Sequence, residues 1–549
     1  MTVSRRTFLG TAAAGAAASA FSLPRAALAA SAAGDVVGKI TVGYQGWFAC
    51  TGDGAPINGW WHWAQDMGHA PSPSNTGIKA WPDMREYAAS YPTAYANFGN
   101  GAASTLFSSY DQSTVNTQFG WMQQNGCDTA ALQRFNPNGG EGATRDAMAV
   151  KVRSAAETYG RKFYIMYDVS GWTNMQSEIK ADWTNKMAAL TASPAYARQN
   201  GKPVVGIWGF GFNDTNHPWT ATACLDVINW FKSQGVYVMG GVPTYWRTGV
   251  NDSRPGYLDA YHAFNMISPW MVGRIGNSAD SDWFYANVNT GDQADCNAHG
   301  IDYQPCVLPG DVSARQRAHG DFMWRQFYNM TRVGAQGLYI SMFDEFNEGN
   351  QIAKTAETQA SVPTNSGMFA LDEDGTACSS DYYLRLTADG GRMLKGQIAL
   401  TATRPTAPVL ATGGATVVGK VVSLRSRADG QYVTAENAGA AALIANRTAI
   451  GGWEQFDVLD AGGGNIALKA HANGRIVCAD NTGTSPLIAN RTAVGPWETF
   501  SLIHNSNGTV SLLASVNHRY VTAENAGAAS LIANRTAIGT WEQFDLVID

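Results

Sequence analysis

Asp344, Glu345 and Glu348 place three carboxylates within five residues, directly after the apolar run Leu338–Phe343. Carboxylates this close suit acid–base chemistry, because two neighbours cannot easily both be ionised and one pKa is driven up. The matching reaction is cleavage of an acetal: one acid protonates the departing oxygen, and a second carboxylate activates a nucleophile or steadies the positive ring. A short apolar run ending in acids reads as a buried strand whose carboxyl end faces a cleft. Glu345 and Glu348 share that cleft if the chain makes one helical turn after the strand; a salt-bridged or solvated pair is the alternative reading.

The rest of residues 36–398 supplies elements that position such a strand. Strand-like runs fall at Ile40–Phe48, Thr129–Phe135, Lys162–Tyr167, Pro203–Phe212, Val236–Val242, Phe264–Ile267, Gln304–Leu308 and Leu338–Phe343, and helical patterns at Ala143–Tyr159, Ala221–Ser233 and Ala314–Val333 lie between several of them. Alternation of this kind predicts a parallel α/β domain, and eight units over this length predict a (β/α)8 TIM barrel, with a doubly wound open sheet as the alternative. On a barrel, the residues just past each strand form the active face. They include Tyr44, Trp47, Trp61, Asp168, Trp208, Tyr245, Trp246 and Asp344, the candidate substrate-binding set around the catalytic candidates Glu345 and Glu348. Indoles stack on the apolar faces of sugar rings and carboxylates accept from hydroxyls, so the rim suits a polyhydroxylated substrate better than a phosphorylated one.

Phe343-Asp-Glu-Phe-Asn-Glu-Gly-Asn-Gln-Ile352 resembles the Phe-Asn-Glu-Trp-x-Glu-Gly-Thr-Gln-Ile motif near the last strand of glycoside hydrolase family 99, and Tyr44 with Trp47 loosely resembles that family's aromatic opening. The resemblance implies a retaining glycoside hydrolase of the endo-α-mannosidase and endo-α-mannanase kind, acting on a (β/α)8 barrel. It implies that Glu345 deprotonates the sugar's own 2-hydroxyl, which attacks the anomeric carbon, while Glu348 protonates the leaving oxygen and then activates water. Asp344, Phe346 and Asn350 depart from the motif at substrate-facing positions, which leaves the sugar open: α-mannan, α-glucan and arabinan all remain. A noncatalytic secreted glycan-binding protein is the alternative function.

From about residue 420 the chain repeats itself. Leu443–Phe456 recurs as Leu487–Phe500 and Leu531–Phe544 at a spacing of 44 residues, and Gln431–Asn437 recurs as Arg475–Asn481 and Arg519–Asn525. Three copies of short strand-like runs predict one all-β module over 420–549 with pseudo-threefold symmetry, similar to a β-trefoil of the fascin-like or ricin-type lectin sort. Within each copy the Leu-Ile pair, the Trp and the Phe read as core. The candidate ligand groups are Glu436 and Asn437, Asp480 and Asn481, Glu524 and Asn525, with turn capping as an equal alternative. Residues 399–419, rich in Pro, Thr and Gly, read as a linker.

Net charge −6, with only 15% charged residues and no Lys/Arg cluster, argues against nucleic acid or an anionic membrane as partner and for a neutral polysaccharide or oligosaccharide. Residues 1–30 read as a twin-arginine signal: paired Arg5 and Arg6, a short apolar segment, and a small-residue cleavage pattern at Ala27–Ala29. The expected product is a secreted, soluble monomer without cofactor. Seven scattered cysteines show no metal-type spacing, so no metal is expected, and Cys296 and Cys306 are candidates for a disulfide.

Overall fold

The computed structural model describes residues 31–408, 417–462, 465–505, 509–517 and 519–548. The expected export signal, residues 1–30, and most of the linker's Gly-rich end lie outside them. Among the described residues no helix is long and apolar enough to cross a membrane.

The first domain is built on a parallel sheet. Its strands are β1 (Ile40–Tyr44), β2 (Thr129–Arg134), β3 (Lys162–Asp168), β4 (Lys202–Trp208), β5 (Tyr237–Val242), β6 (Met266–Pro269), β7 in two pieces (Asp302–Tyr303 and Cys306–Val307) and β8 (Leu338–Ile340). Neighbours in sequence are neighbours in space, and β1 also pairs with β8 through Ile40↔Leu338 and Val42↔Ile340. Pro305, which has no N–H to donate, divides β7. On one side of it Gln304 N donates to Ile267 O of β6 (2.8 Å); on the other, Tyr339 N of β8 donates to Pro305 O (3.1 Å). The two ends of the strand order are therefore the two halves of one segment.

Near-continuous burial along β1, β2 and β5 fits strands covered on both faces. Large side chains on some strands face glycine on others: a Cβ at Gly43 would lie 2.2 Å from Met342 Sδ, and one at Gly206 would lie 2.8 Å from Met166 Cγ. Helices cover the crossovers: α1 (Gln112–Gln124), α2 (Gly142–Tyr159), α3 (Met175–Asp182), α4 (Ala221–Ser233), α5 (Leu258–His262), α6 (Ser278–Phe284), α7 (Thr290–His299) and α8 (Asp321–Arg332), with α9 (Tyr382–Leu394) after β8. The last predicted pattern begins too early: Arg315, Ala318 and His319 take left-handed backbone angles, so the helix starts only at Asp321.

The second domain contributes twelve antiparallel strands, four per repeat, from Val421–Ser426 to Phe544–Ile548. Leu443, Leu487 and Leu531 join Phe456, Phe500 and Phe544 in its core, each no more than 2% exposed. The indoles do not follow them. Trp453 is 39% exposed and Trp497 and Trp541 are half-buried, all three in turns between strands; Ile444, Ile488 and Ile532 are half-buried because only alternate positions of their strands face inward. All seven cysteines are free and buried; Cys296 sits on α7 and Cys306 on β7, where its Sγ contacts Ser341 Oγ at 2.6 Å, so the two form no disulfide.

Candidate active site

The chain leaves β8 into a tight turn: Phe346 N donates to Asp344 O (3.0 Å) and Glu348 N to Glu345 O (3.2 Å). This is the single turn that brings the two glutamates together. Phe346 anchors it from below, packing edge-on against Phe48 and Phe107 at ring distances of 6.0 and 5.8 Å. From the far side the buried Arg317 donates to the carbonyls of Gly349 and Gln351, both at 2.8 Å. Gly349, at φ 75°, leaves no room for a side chain, since a Cβ there would meet Asp311 Oδ1 at 2.4 Å.

Glu345 is 4% exposed. Its Oε1 accepts from Gln45 Nε2 (3.1 Å), while its Oε2 is buried without a hydrogen-bond partner. Burial, followed by the charges of Glu348, Asp344 and Asp168, drives its pKa well above the usual carboxylate range. Glu348 is exposed. Burial of its near surroundings raises its pKa too, with Lys79 opposing and Asp311 adding to the rise; those two pair with each other at 2.8 Å. Among the described residues neither glutamate forms a salt bridge, and burial favours the protonated form of both, most strongly at Glu345.

Asp344 belongs to the fold. It is fully buried, and its two oxygens accept from the backbone N–H groups of Gln45 and Gly46, both at 2.8 Å, stitching the end of β8 to the end of β1. Burial raises its pKa to about 6 against the pull of those donors. Tyr44 is also fully buried, its hydroxyl donating to Gln118 Oε1, and Trp246 is 1% exposed; neither lies open to a substrate.

Trp47 and Trp61 belong to an aromatic wall organised by Arg145, whose guanidinium lies 5.6 and 5.0 Å from their ring centroids and 4.8 Å from that of Phe135. Arg145 also donates to Gln45 O (2.8 Å), tying the wall to the residue that holds Glu345. His62, in a left-handed turn at φ 60°, stacks on Trp47 at 3.8 Å; with Phe135 also stacked on it at 5.8 Å, Trp47 is buried and, like Tyr44 and Trp246, is not open to a substrate. Burial and the nearby Arg145 push the pKa of His62 down to about 3, so it is a neutral ring at any ordinary pH.

Asp168, half-buried at the end of β3, accepts from Ser170 N (2.9 Å), and Ser170 Oγ meets His217 Nε2 at 2.9 Å, with His217 Nδ1 held by Asp214 at 2.7 Å. Trp208 is half-buried and meets Trp270 edge-on at 5.4 Å; Gly241 makes room for it, since a Cβ there would lie 2.3 Å from the indole. Tyr245 is half-buried beside Phe284. Gln45, His62, Arg145 and His217 were not singled out as site residues from sequence. For Arg145 and His217 no local pattern marks them, because each acts through residues from other strands; His62, within the Trp60–Trp63 run, was within reach.

In the second domain Glu436, Asp480 and Glu524 are ion-paired with Arg447, Arg491 and Arg535 at 2.9, 2.7 and 2.7 Å. Asn437, Asn481 and Asn525 take left-handed angles of 54°, 49° and 54°, the backbone of a tight turn. The geometry is the turn-forming one, with the half-exposed or exposed indoles in the same repeats.

No protein family and no curated protein matches the chain by sequence. Among solved structures, the family 99 endo-α-mannosidase from Bacteroides thetaiotaomicron superposes with a TM-score of 0.47 at 14% identity, over 66% of this chain and 98% of that one. The designed threefold-symmetric protein ThreeFoil superposes with a TM-score of 0.22 at 24% identity, over 23% of this chain and 97% of its own.

Proposed function

We propose that the parallel sheet closes through β7 into a (β/α)8 barrel and that this domain is a glycoside hydrolase, cleaving an α-linked polysaccharide of the mannan kind with retention. The observation that carries the reading is Glu345: a buried carboxyl with one oxygen held by Gln45 and the other unpartnered, raised in pKa by the charge of Glu348 one turn away, with no cation in salt-bridge contact. Keeping such a pair is costly to the fold and fits a site whose task is moving protons.

In the proposed reaction Glu345, ionised once a sugar is bound, takes the proton of the 2-hydroxyl, and that oxygen attacks C1. Glu348 gives its proton to the departing glycosidic oxygen, leaving a 1,2-anhydro sugar. Glu348 then takes a proton from water as the water's oxygen attacks C1; the anhydro C1–O2 bond breaks and Glu345 returns its proton to O2. The nucleophile is already in place within the substrate, so no entropy is lost in bringing it there. Burial favours the protonated form of Glu345 in the free site, so the proposed reaction requires binding to reorder the pair: the substrate offers a donor to Glu345 and displaces water from Glu348. Trp61 and Trp208 supply stacking faces, and Asp168 accepts from hydroxyls.

The second domain is proposed to hold the enzyme on glycan, and the chain to be exported through the twin-arginine signal as a monomer. Incubation with mannan, α-glucan and arabinan, reading new reducing ends, tests the reading. Release from one of them by the wild type and none by Glu348→Gln supports it. Release from none, with glycan still retained, leaves the noncatalytic binding protein.

A further inference from the structure

His262, Asp295 and His299 bring two imidazoles and a carboxylate together between crossover helices, in a group that the acid–base chemistry above does not use. His262 ends α5; Asp295 and His299 lie one turn apart on α7, which stops at Gly300 in a left-handed cap. His262 Nε2 is 2.7 Å from Asp295 Oδ1, and His299 Nδ1 is 3.2 Å from the same oxygen. All three donor atoms lie within 4.8 Å of one another. The two rings stack face to face, 3.7 Å apart and 20° from parallel.

The donor-atom distances approach those of a coordination shell, while the stacked rings must swing apart, to centres about 5 Å from each other, to aim their in-plane lone pairs at one ion. Metal–nitrogen and metal–oxygen bonds of about 2.0–2.2 Å in a tetrahedron put neighbouring ligand atoms about 3.3 Å apart. The two measured edges fall short of that by a fraction of an ångström, within reach of small side-chain rotations, and the third is no longer than 4.8 Å. The donor set is selective: two imidazole nitrogens with one carboxylate suit zinc and its neighbours, whereas magnesium and calcium require oxygen throughout. Side-chain exposures of 18% for His262, 20% for Asp295 and 39% for His299 leave the group open to ions from solvent, with room for water in the remaining positions. Both histidines stand at helix carboxyl ends, where the backbone dipole favours a positive charge. Without an ion His299 Nδ1 meets the backbone carbonyl of Asp295 at 2.8 Å, a bond that metal binding replaces, and stacked rings this close repel when both are protonated.

We propose that His262, Asp295 and His299 form a binding site for a divalent transition ion of the zinc class, which clamps α5 to α7. The clamp bears on the rim as well: Asp292, earlier on α7, pairs with Arg247 Nε at 3.0 Å, and Arg247 follows Tyr245 and Trp246 in the loop after β5. The cysteine spacing that argued against a metal does not address this site, since no thiol takes part.

The full-length protein, stripped with chelator, is titrated with zinc chloride by calorimetry and by thermal melting. One zinc ion per chain, with a melting point raised by a few degrees at a hundredfold excess over Kd, is the expected result. His299→Ala and Asp295→Asn each weaken binding by at least about a hundredfold and remove the melting shift. His262→Gln is the second variant should either of these fail to fold, judged by circular dichroism of the metal-free chain. Magnesium chloride gives no shift. The proposal is overturned by absence of zinc binding in the wild type, by binding that the variants leave intact, or by magnesium binding equally well.

Discussion

The chain keeps two sets of acidic residues under opposite conditions. At the carboxyl end of β8, Glu345 is buried against a neighbouring acid with no cation in contact, while in the repeats Glu436, Asp480 and Glu524 are one-third exposed and each is bonded to an arginine of its own repeat. A carboxylate with an arginine partner in water is nearly neutral to stability and common on surfaces. One buried beside another acid destabilises the fold and survives where something else requires it. The partner of an acid, more than its presence in a motif, therefore separates the set proposed to react from the architectural one.

The widest separation between the two sets should appear in activity. Glu345→Gln and Glu348→Gln each lower glycan hydrolysis by about 10²–10⁴-fold, read as reducing ends, with retention on glycan unchanged. Equal loss from Arg447→Ala would erase the distinction. Next in size is Asp344→Ala, which strips acceptors from two buried backbone amides and is expected to destabilise the first domain by about 2–5 kcal/mol in urea unfolding.

Third is a pH effect at Glu345. Its folded pKa is raised, so its protonated form is stabilised by folding relative to the ionised one; that contribution is complete below the unfolded value of about 4.3 and is lost as pH rises through the folded value. Glu345→Gln, uncharged throughout, should therefore match the wild type in thermal melting near pH 4 and exceed it at pH 8 by roughly 1–3 kcal/mol. A gap that closes as pH rises would reverse the assignment. Smallest is Arg447→Ala in the repeats, expected to change stability by no more than about 1 kcal/mol, because its pair with Glu436 is exposed. Trp453→Ala in the same repeat tests whether the exposed indole, rather than the acid, carries glycan retention in a pull-down.

Much of this was legible along the chain. Apolar runs separated by helical patterns give the eight strand positions, since a strand buried on both faces must be apolar throughout, and the 44-residue period gives a threefold module because each copy must bury the same face. The motif after Leu338–Ile340 gives the glutamate pair, as three residues along one turn suffice to bring two side chains together. Contacts between distant segments were beyond it. Asp344 reads as a rim acid until Gln45 and Gly46, about three hundred positions away, are seen to fill both its oxygens. Arg145 looks like one more helix cation until the wall of Trp47, Trp61 and Phe135 closes around it. Sequence spacing fixes what a single turn or a single period can hold. Whether a charge meets water, a cation or another acid depends on which strands the fold sets side by side, and only the tertiary structure decided that.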